Sequence, residues 1–255
     1  MFIGYNDHEV CATPLGGSIN HWICGDRYVL GPVSRKMVEA PTPSGSTFKR
    51  RGLSHWCFPN FGSAPNKAGL LGLPKHGVLR DTLLLPSRVQ EQQMEFWNHI
   101  ELGGVPDVGV GVSMKIGHHL PNNGSARLNL TLMAHVQQDD GEPIRVPILP
   151  AWHPYFAGPA TVTIGGREIE VGPDPAIIER ADTITIVLKD RGIVTIIPSF
   201  SCHWLVVWSD DPAKYVCVEP VFGGRPGTFG TDEQETFLEP DKPFTCFVNT
   251  IFTPF

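Results

Sequence analysis

Four short segments of this 255-residue chain carry titratable side chains where a plain β-protein has no need of them. They are Arg51-Gly52 leading into Cys57-Phe58-Pro59-Asn60-Phe61-Gly62, then Leu73-Pro74-Lys75-His76-Gly77-Val78-Leu79-Arg80, then Trp152-His153-Pro154-Tyr155-Phe156, and Val216-Cys217-Val218-Glu219-Pro220. Each sets a polar group beside Gly or Pro at the expected end of a strand, where loops carry function on a rigid scaffold. A carboxylate with an ordinary pKa near ~4.3 takes up protons and an imidazolium near ~6.5 supplies them, so these residue types suit acid–base chemistry at oxygen. Histidine and arginine donors suit charge on oxygen, and the guanidinium fork does so with two bonds at once.

Each residue also has a plainer explanation. Alone, His76 reads as a turn histidine satisfied by backbone, and only its place between Lys75 and Gly77, with Arg80 nearby, reverses that. His153 before Pro154 fits a strand terminator, because proline holds its predecessor extended; Tyr155-Phe156 then adds a candidate aromatic wall. Glu219 fits a solvated strand end, or a carboxylate whose pKa apolar neighbours raise. Arg51 follows Lys49 and Arg50 and suits an ordinary basic turn. His118-His119 points to opposite faces of a strand and has no third ligand in sequence reach, so no metal site is expected. Gly223 to Gly227 lacks the strand, lysine and helix context of a phosphate loop and reads first as a flexible loop after the Glu219 strand.

The elements that must position these groups read as strands. Leu128, Leu130, Leu132, Ala134 and Val136 alternate with polar residues, a half-buried strand over 126–136. Asp139-Asp140-Gly141 predicts a turn and Ile144 to Leu149 the returning strand of a hairpin. A second hairpin is expected from Thr161–Ile164 through Gly165-Gly166 to Glu168–Val171. Thr183–Leu188, Ile193–Ile197, Trp204–Trp208 and Tyr215–Val218 continue the series, rich in β-branched and aromatic residues. With 41% hydrophobic residues the chain buries a full core, and its 27 Gly and 24 Pro are dispersed as in many tight turns. No repeat or linker divides it, so 1–255 reads as one all-β domain of packed antiparallel sheets.

Taken in order, the four segments resemble the aldose 1-epimerase family. The branch of the hexose-6-phosphate (glucose 6-phosphate) epimerases, with its C-F-P-x-F-G, H-G-x-x-R, H-P-Y-F and late Glu-Pro, is the most similar. The match runs from Arg51 to Pro220, and Leu238-Glu239-Pro240 before an apolar strand is similar to the family's ending. Asn60, and Asp81-Thr82-Leu83 in place of a tryptophan after H-G-x-x-R, depart from the branch. The resemblance implies a galactose-mutarotase-like β-supersandwich with a sugar cleft on one sheet. It implies substrate binding by Arg51, His76, Arg80 and Asp182, with His153 as general acid and Glu219 as general base. Ordinary pKa values would then end activity in acid as Glu219 protonates and in base as His153 loses its proton.

The activity implied is interconversion of α and β anomers of a hexose, free or phosphorylated, with neither cofactor nor metal. A carbohydrate-binding or sensing protein on the same scaffold is the alternative, because fold does not fix function. A glycan lyase or hydrolase is disfavoured, since no carboxylate pair among Glu95, Glu101, Asp139 and Asp140 shows the required pattern. The net charge of -6 argues against nucleic acid and acidic membranes. Six scattered cysteines without a C-x-x-C pair, and an N-terminus without a basic start and apolar run, lead to the expectation of reduced thiols in a cytoplasm; a monomer or homodimer is expected.

Overall fold

Apolar and polar residues alternate along most of the chain, and the strands they form assemble into two large antiparallel sheets. The structure, a computed structural model, describes residues 1–31, 38–42, 45–49, 53–65, 73–102, 110–121, 127–137, 145–234, 236–240 and 242–255. Arg51 and its expected sugar contact lie outside these residues. Among them the one helical element is a 3-10 turn at Leu79–Asp81, and no helix is long and apolar enough to cross a membrane.

The nine-stranded sheet runs in the order Arg167–Ile169, Ala160–Ile164, Ile184–Leu188, Gly192–Pro198, Phe244–Pro254, Arg127–Gln137, Val110–His119, Gln93–Leu102 and Leu85–Gln90. In the ten-stranded sheet the strands Phe2–Tyr5, His8–Ala12, Ile19–Cys24, Arg27–Leu30 and Phe156–Ala157 lead to Tyr215–Phe222, followed by Ala151–His153 and His55–Cys57. Cys202–Trp208 pairs with Tyr215–Phe222 and carries Ala176–Glu179 at its outer side. The inner faces of the two sheets bury one continuous core, in which Trp22 meets Phe252 edge-on at 6.4 Å.

The expected strand over 126–136 is observed as Arg127–Gln137, with Leu128, Leu130, Leu132 and Ala134 buried as the alternation requires. The hairpin expected to follow it does not form. Arg127–Gln137 pairs with Val110–His119 and Phe244–Pro254, whereas Val146–Pro147 pairs with Phe237–Leu238. A turn signal fixes only a local reversal; the long strand forms its hairpin with the preceding strand instead, and its other edge is taken by Phe244–Pro254, far along the chain. The second hairpin is present, with Ile164 opposite Arg167 across the two glycines. Tyr215–Val218 also extends further than expected, to Phe222, so Glu219 lies within a strand rather than at its end. Pro220 opposite Leu205 removes a donor but keeps an extended backbone.

One buried polar contact joins the two layers. His118 is buried on the nine-stranded sheet with its edge on Phe96, and its Nε2 lies 2.7 Å from the carbonyl oxygen of Gly17, in the loop beside the other sheet. His119 is exposed, as opposite strand faces require. A carbonyl only accepts, so Nε2 donates, and burial lowers the pKa of His118 to about 4. The unfolded chain binds this proton below about 6.5 and the folded chain does not until about 4. The group's contribution is therefore complete above pH 6.5 and is lost as pH falls from 6.5 towards 4. Between pH 7 and pH 5 it accounts for about 2 kcal/mol of lost stability. Chemical denaturation at the two pH values should show a smaller loss by that amount in His118→Gln, which keeps a donor but does not titrate. An equal loss in both proteins would contradict this reading.

Candidate active site

The strand Tyr215–Phe222 is buried on both sides, and its alternation divides it cleanly. Val216, Val218 and Phe222 enter the core between the sheets, while Tyr215, Cys217, Glu219 and Val221 belong to the opposite, outer face. On the neighbouring strand Val206 stands opposite Glu219 and Trp208 opposite Cys217. One further out, Ile177 stands opposite Val206. The other side is set by the short strands Ala151–His153 and His55–Cys57, in which His153 pairs with His55 and Trp152 with Trp56. Both tryptophans are in the core, so the two histidines face outward together.

This register brings His153 Nε2 to 3.6 Å from Glu219 Oε1, with both side chains almost wholly removed from solvent. The His153 ring lies between His55, stacked at 5.0 Å, and Tyr155, stacked at 5.0 Å on its other side. His76 and Trp208 meet the same ring edge-on at 5.4 and 6.3 Å. His55 Nδ1 lies 2.8 Å from the Leu53 carbonyl and donates to it, which fixes the ring. Trp208 Nε1 donates to the Pro173 carbonyl at 2.9 Å, which fixes the indole. Phe156 of the expected aromatic wall points into the core, edge-on to Trp152. The wall beside the pair is formed by Trp208, Ile177 and Phe61 instead.

The loop after Phe61 is shaped for His76. Gly77 has φ +73°, and a Cβ there would fall 2.0 Å from the Phe58 carbonyl oxygen, so only glycine fits the close approach. His76 itself has φ +68°, with its backbone N–H on the Gly62 carbonyl. The Gly62 N–H donates back to His76 Nδ1 at 3.3 Å. An accepting Nδ1 leaves the proton of a neutral imidazole on Nε2, which makes His76 a directed donor.

These groups border a cleft of ≈ 470 Å³ lined by Lys75, His76, His153, Trp208 and Glu219 together with apolar residues and the loop Pro226-Gly227. That size suits a small molecule. Of the residues expected to act, the structure brings His76, His153 and Glu219 to this cleft. Arg80 is in the 3-10 turn and does not line the cleft; its Nε is 3.3 Å from Asp81 Oδ2, and it is near enough for its charge to act on His153. Asp182 is exposed in the turn before Ile184–Leu188 and does not line the cleft. His55 and Trp208 escaped the sequence reading; the parallel spacing of His55-Trp56 and Trp152-His153 was the available signal for the first.

Burial governs the charges. It raises the Glu219 carboxyl to about 8, against the pull of Lys75. It also drives the His153 imidazole well below 6.5, helped by His55, His76 and Arg80. Despite their separation of 3.6 Å the two therefore do not rest as an ion pair at neutral pH. They rest as carboxylic acid and neutral imidazole, with one exchangeable proton between them. Such a pair titrates as a unit and can give and receive a proton within one site.

Sequence comparison finds no matching family profile and no matching curated protein. Solved structures do match. The Slr1438 protein of Synechocystis sp. PCC 6803 superposes with a TM-score of 0.78 at 18% identity, over 99% of this chain and 95% of the other. A galactose mutarotase related enzyme from Lactobacillus acidophilus gives 0.75 at 15% identity, over 99% and 97%. A GalM/aldose epimerase homologue from C. elegans gives 0.72 at 10% identity, over 100% and 98%. The chain has the galactose-mutarotase-like fold, an antiparallel all-β architecture.

Proposed function

We propose that the protein is an aldose 1-epimerase, interconverting the α and β anomers of a free or phosphorylated hexose with Glu219 as base and His153 as acid. The observation that carries this reading is the buried pair, 3.6 Å apart and bordering a cleft of ≈ 470 Å³. A protein that only binds sugar needs hydrogen-bonding groups but no coupled donor and acceptor. Likeness of fold to mutarotase-related structures supports the same reading.

The resting proton is on Glu219, so the working form arises by its transfer to His153 when sugar enters. Two effects favour that transfer. Opposite charges 3.6 Å apart attract by about 5 kcal/mol at an effective dielectric of about 20. Each sugar hydroxyl donating to the carboxylate adds about 1.5–3 kcal/mol. Glu219 then removes the proton of the anomeric hydroxyl while His153 protonates the ring oxygen. The bond from C1 to the ring oxygen breaks and C1 becomes an aldehyde. Rotation about the C1–C2 bond presents its other face, and both proton transfers run backwards as the ring closes. The pair ends with the protons it had at the start, so no cofactor is consumed. His76 and Lys75 supply donors to the sugar oxygens, and Trp208 with Ile177 covers its C–H face.

Saturation-transfer NMR on free and 6-phosphorylated hexoses tests this directly. Glu219→Gln should slow anomer exchange by about 10² to 10⁴ with the fold and most of the binding retained. His153→Asn should do the same, and the double variant should be barely worse than either. Near wild-type exchange in folded Glu219→Gln would reject the assignment, and binding without exchange in the wild type would favour the binding protein.

The pH profile should also be distinctive. Activity requires one proton in the pair, so it should fall in base as Glu219 loses its proton near about 8, and in acid only well below 6.5, as His153 gains a second. This reverses the roles that ordinary pKa values assign to the two limbs. A profile already falling between pH 7 and pH 6 would contradict it.

A further inference from the structure

The spacing of histidines and cysteines along the chain suggested no metal set, but strand pairing builds one. A ring nitrogen of His153, the Cys217 thiol and a carboxylate oxygen of Glu219 all lie within 4.8 Å of one another. Cys217 and Glu219 share the outer face of one strand, two residues apart, and His153 reaches them from the other side. All three side chains are buried, and Glu219 Oε2 has no hydrogen-bond partner. A buried carboxylate oxygen without a partner is an unsatisfied ligand atom.

We propose that His153, Cys217 and Glu219 form a binding site for a thiophilic divalent cation such as zinc, whose occupancy shuts off the catalytic pair. Tetrahedral zinc with bonds of about 2.0–2.3 Å holds its ligand atoms roughly 3.3–3.6 Å apart. The His153–Glu219 distance of 3.6 Å already meets this, and the thiol, within 4.8 Å of both, needs to close by little more than about 1 Å at most. Thiolate, carboxylate and dication sum to zero charge, which suits a site this deeply buried. Binding releases the thiol and carboxyl protons to solvent, and three protein ligands leave a fourth position for water. Sulfur and imidazole donors select zinc or cadmium over magnesium and calcium. An occupied site engages the lone pairs of both His153 and Glu219, so neither transfers protons. Cation and sugar therefore exclude each other.

The binding half of this inference stands on geometry alone, and the inhibition half rests on the proposed epimerase chemistry. Cobalt separates them, because tetrahedral cobalt bound to thiolate shows a charge-transfer band whether or not the protein is active. The full chain should give this band at one equivalent. Cys24→Ser should keep it, which controls for the partly exposed thiol 3.6 Å from His8 Nε2. Cys217→Ser should lose it, and Glu219→Gln should bind cobalt more weakly by more than the 10- to 100-fold that loss of an outer partner typically costs. Zinc, but not magnesium, should slow anomer exchange in the wild type and in Cys24→Ser, with a chelator restoring the rate. In Cys217→Ser the ratio of rates with and without zinc should stay near one. Circular dichroism establishes that each variant is folded, and Glu219→Gln carries the test if Cys217→Ser is not. Absence of the band in the wild type, its persistence in Cys217→Ser, or unchanged affinity in Glu219→Gln would overturn the site. Absence of exchange in the metal-free wild type would instead overturn the epimerase reading.

Discussion

A carboxyl group with almost no contact with water, held beside an imidazole that is equally enclosed, is the constraint on which the rest of this structure turns. Burying either charge alone is costly, and the chain meets that cost by leaving both groups neutral at rest. Neutrality is not inertness. Moving the proton from Glu219 to His153 costs about 1.4 kcal/mol for each unit by which their pKa values differ, and the attraction of the resulting ion pair and hydrogen bonds to the carboxylate oppose that cost. A ligand bringing a few hydroxyl groups can therefore redistribute the proton without large movements of the protein.

Keeping two such groups in register requires a rigid support, and the ten-stranded sheet provides it. Trp56 and Trp152, paired on neighbouring strands, anchor the inner face and thereby set His55 and His153 outward side by side. Four rings then hold the His153 imidazole, two of them stacked and two edge-on. Each of His55, His76 and Trp208 is itself tied to backbone through a ring nitrogen, so the orientation is inherited from the main chain. Apolar packing and acid–base geometry are here consequences of the same alternation.

The sequence made much of this legible, for reasons that differ between residues. His153 and Glu219 stood out because a titratable side chain interrupts an apolar strand next to proline, and the strands Arg127–Gln137 and Ala160–Ile164 because period-two alternation is local. The partner of Arg127–Gln137 was misjudged, since its hairpin forms with the strand before it rather than the one after, and its other edge pairs with Phe244–Pro254 far along the chain. Cys217 lay within a quoted motif, yet its closeness to His153 depends on strands more than sixty positions apart, as the numbering itself shows. Composition likewise could not reveal the inverted protonation of the pair, because it follows from burial rather than from residue type. Asp182 was assigned by motif position alone, and the fold leaves it exposed away from the cleft.

The most direct test of the central claim is a crystal structure with a hexose bound in the cleft. The account predicts the anomeric oxygen within about 3 Å of the Glu219 carboxylate and the ring oxygen within about 3 Å of His153, as proton transfer requires. The C–H face of the sugar should lie against Trp208. A sugar bound with its ring oxygen and anomeric carbon remote from both residues, or held at another surface, would contradict it.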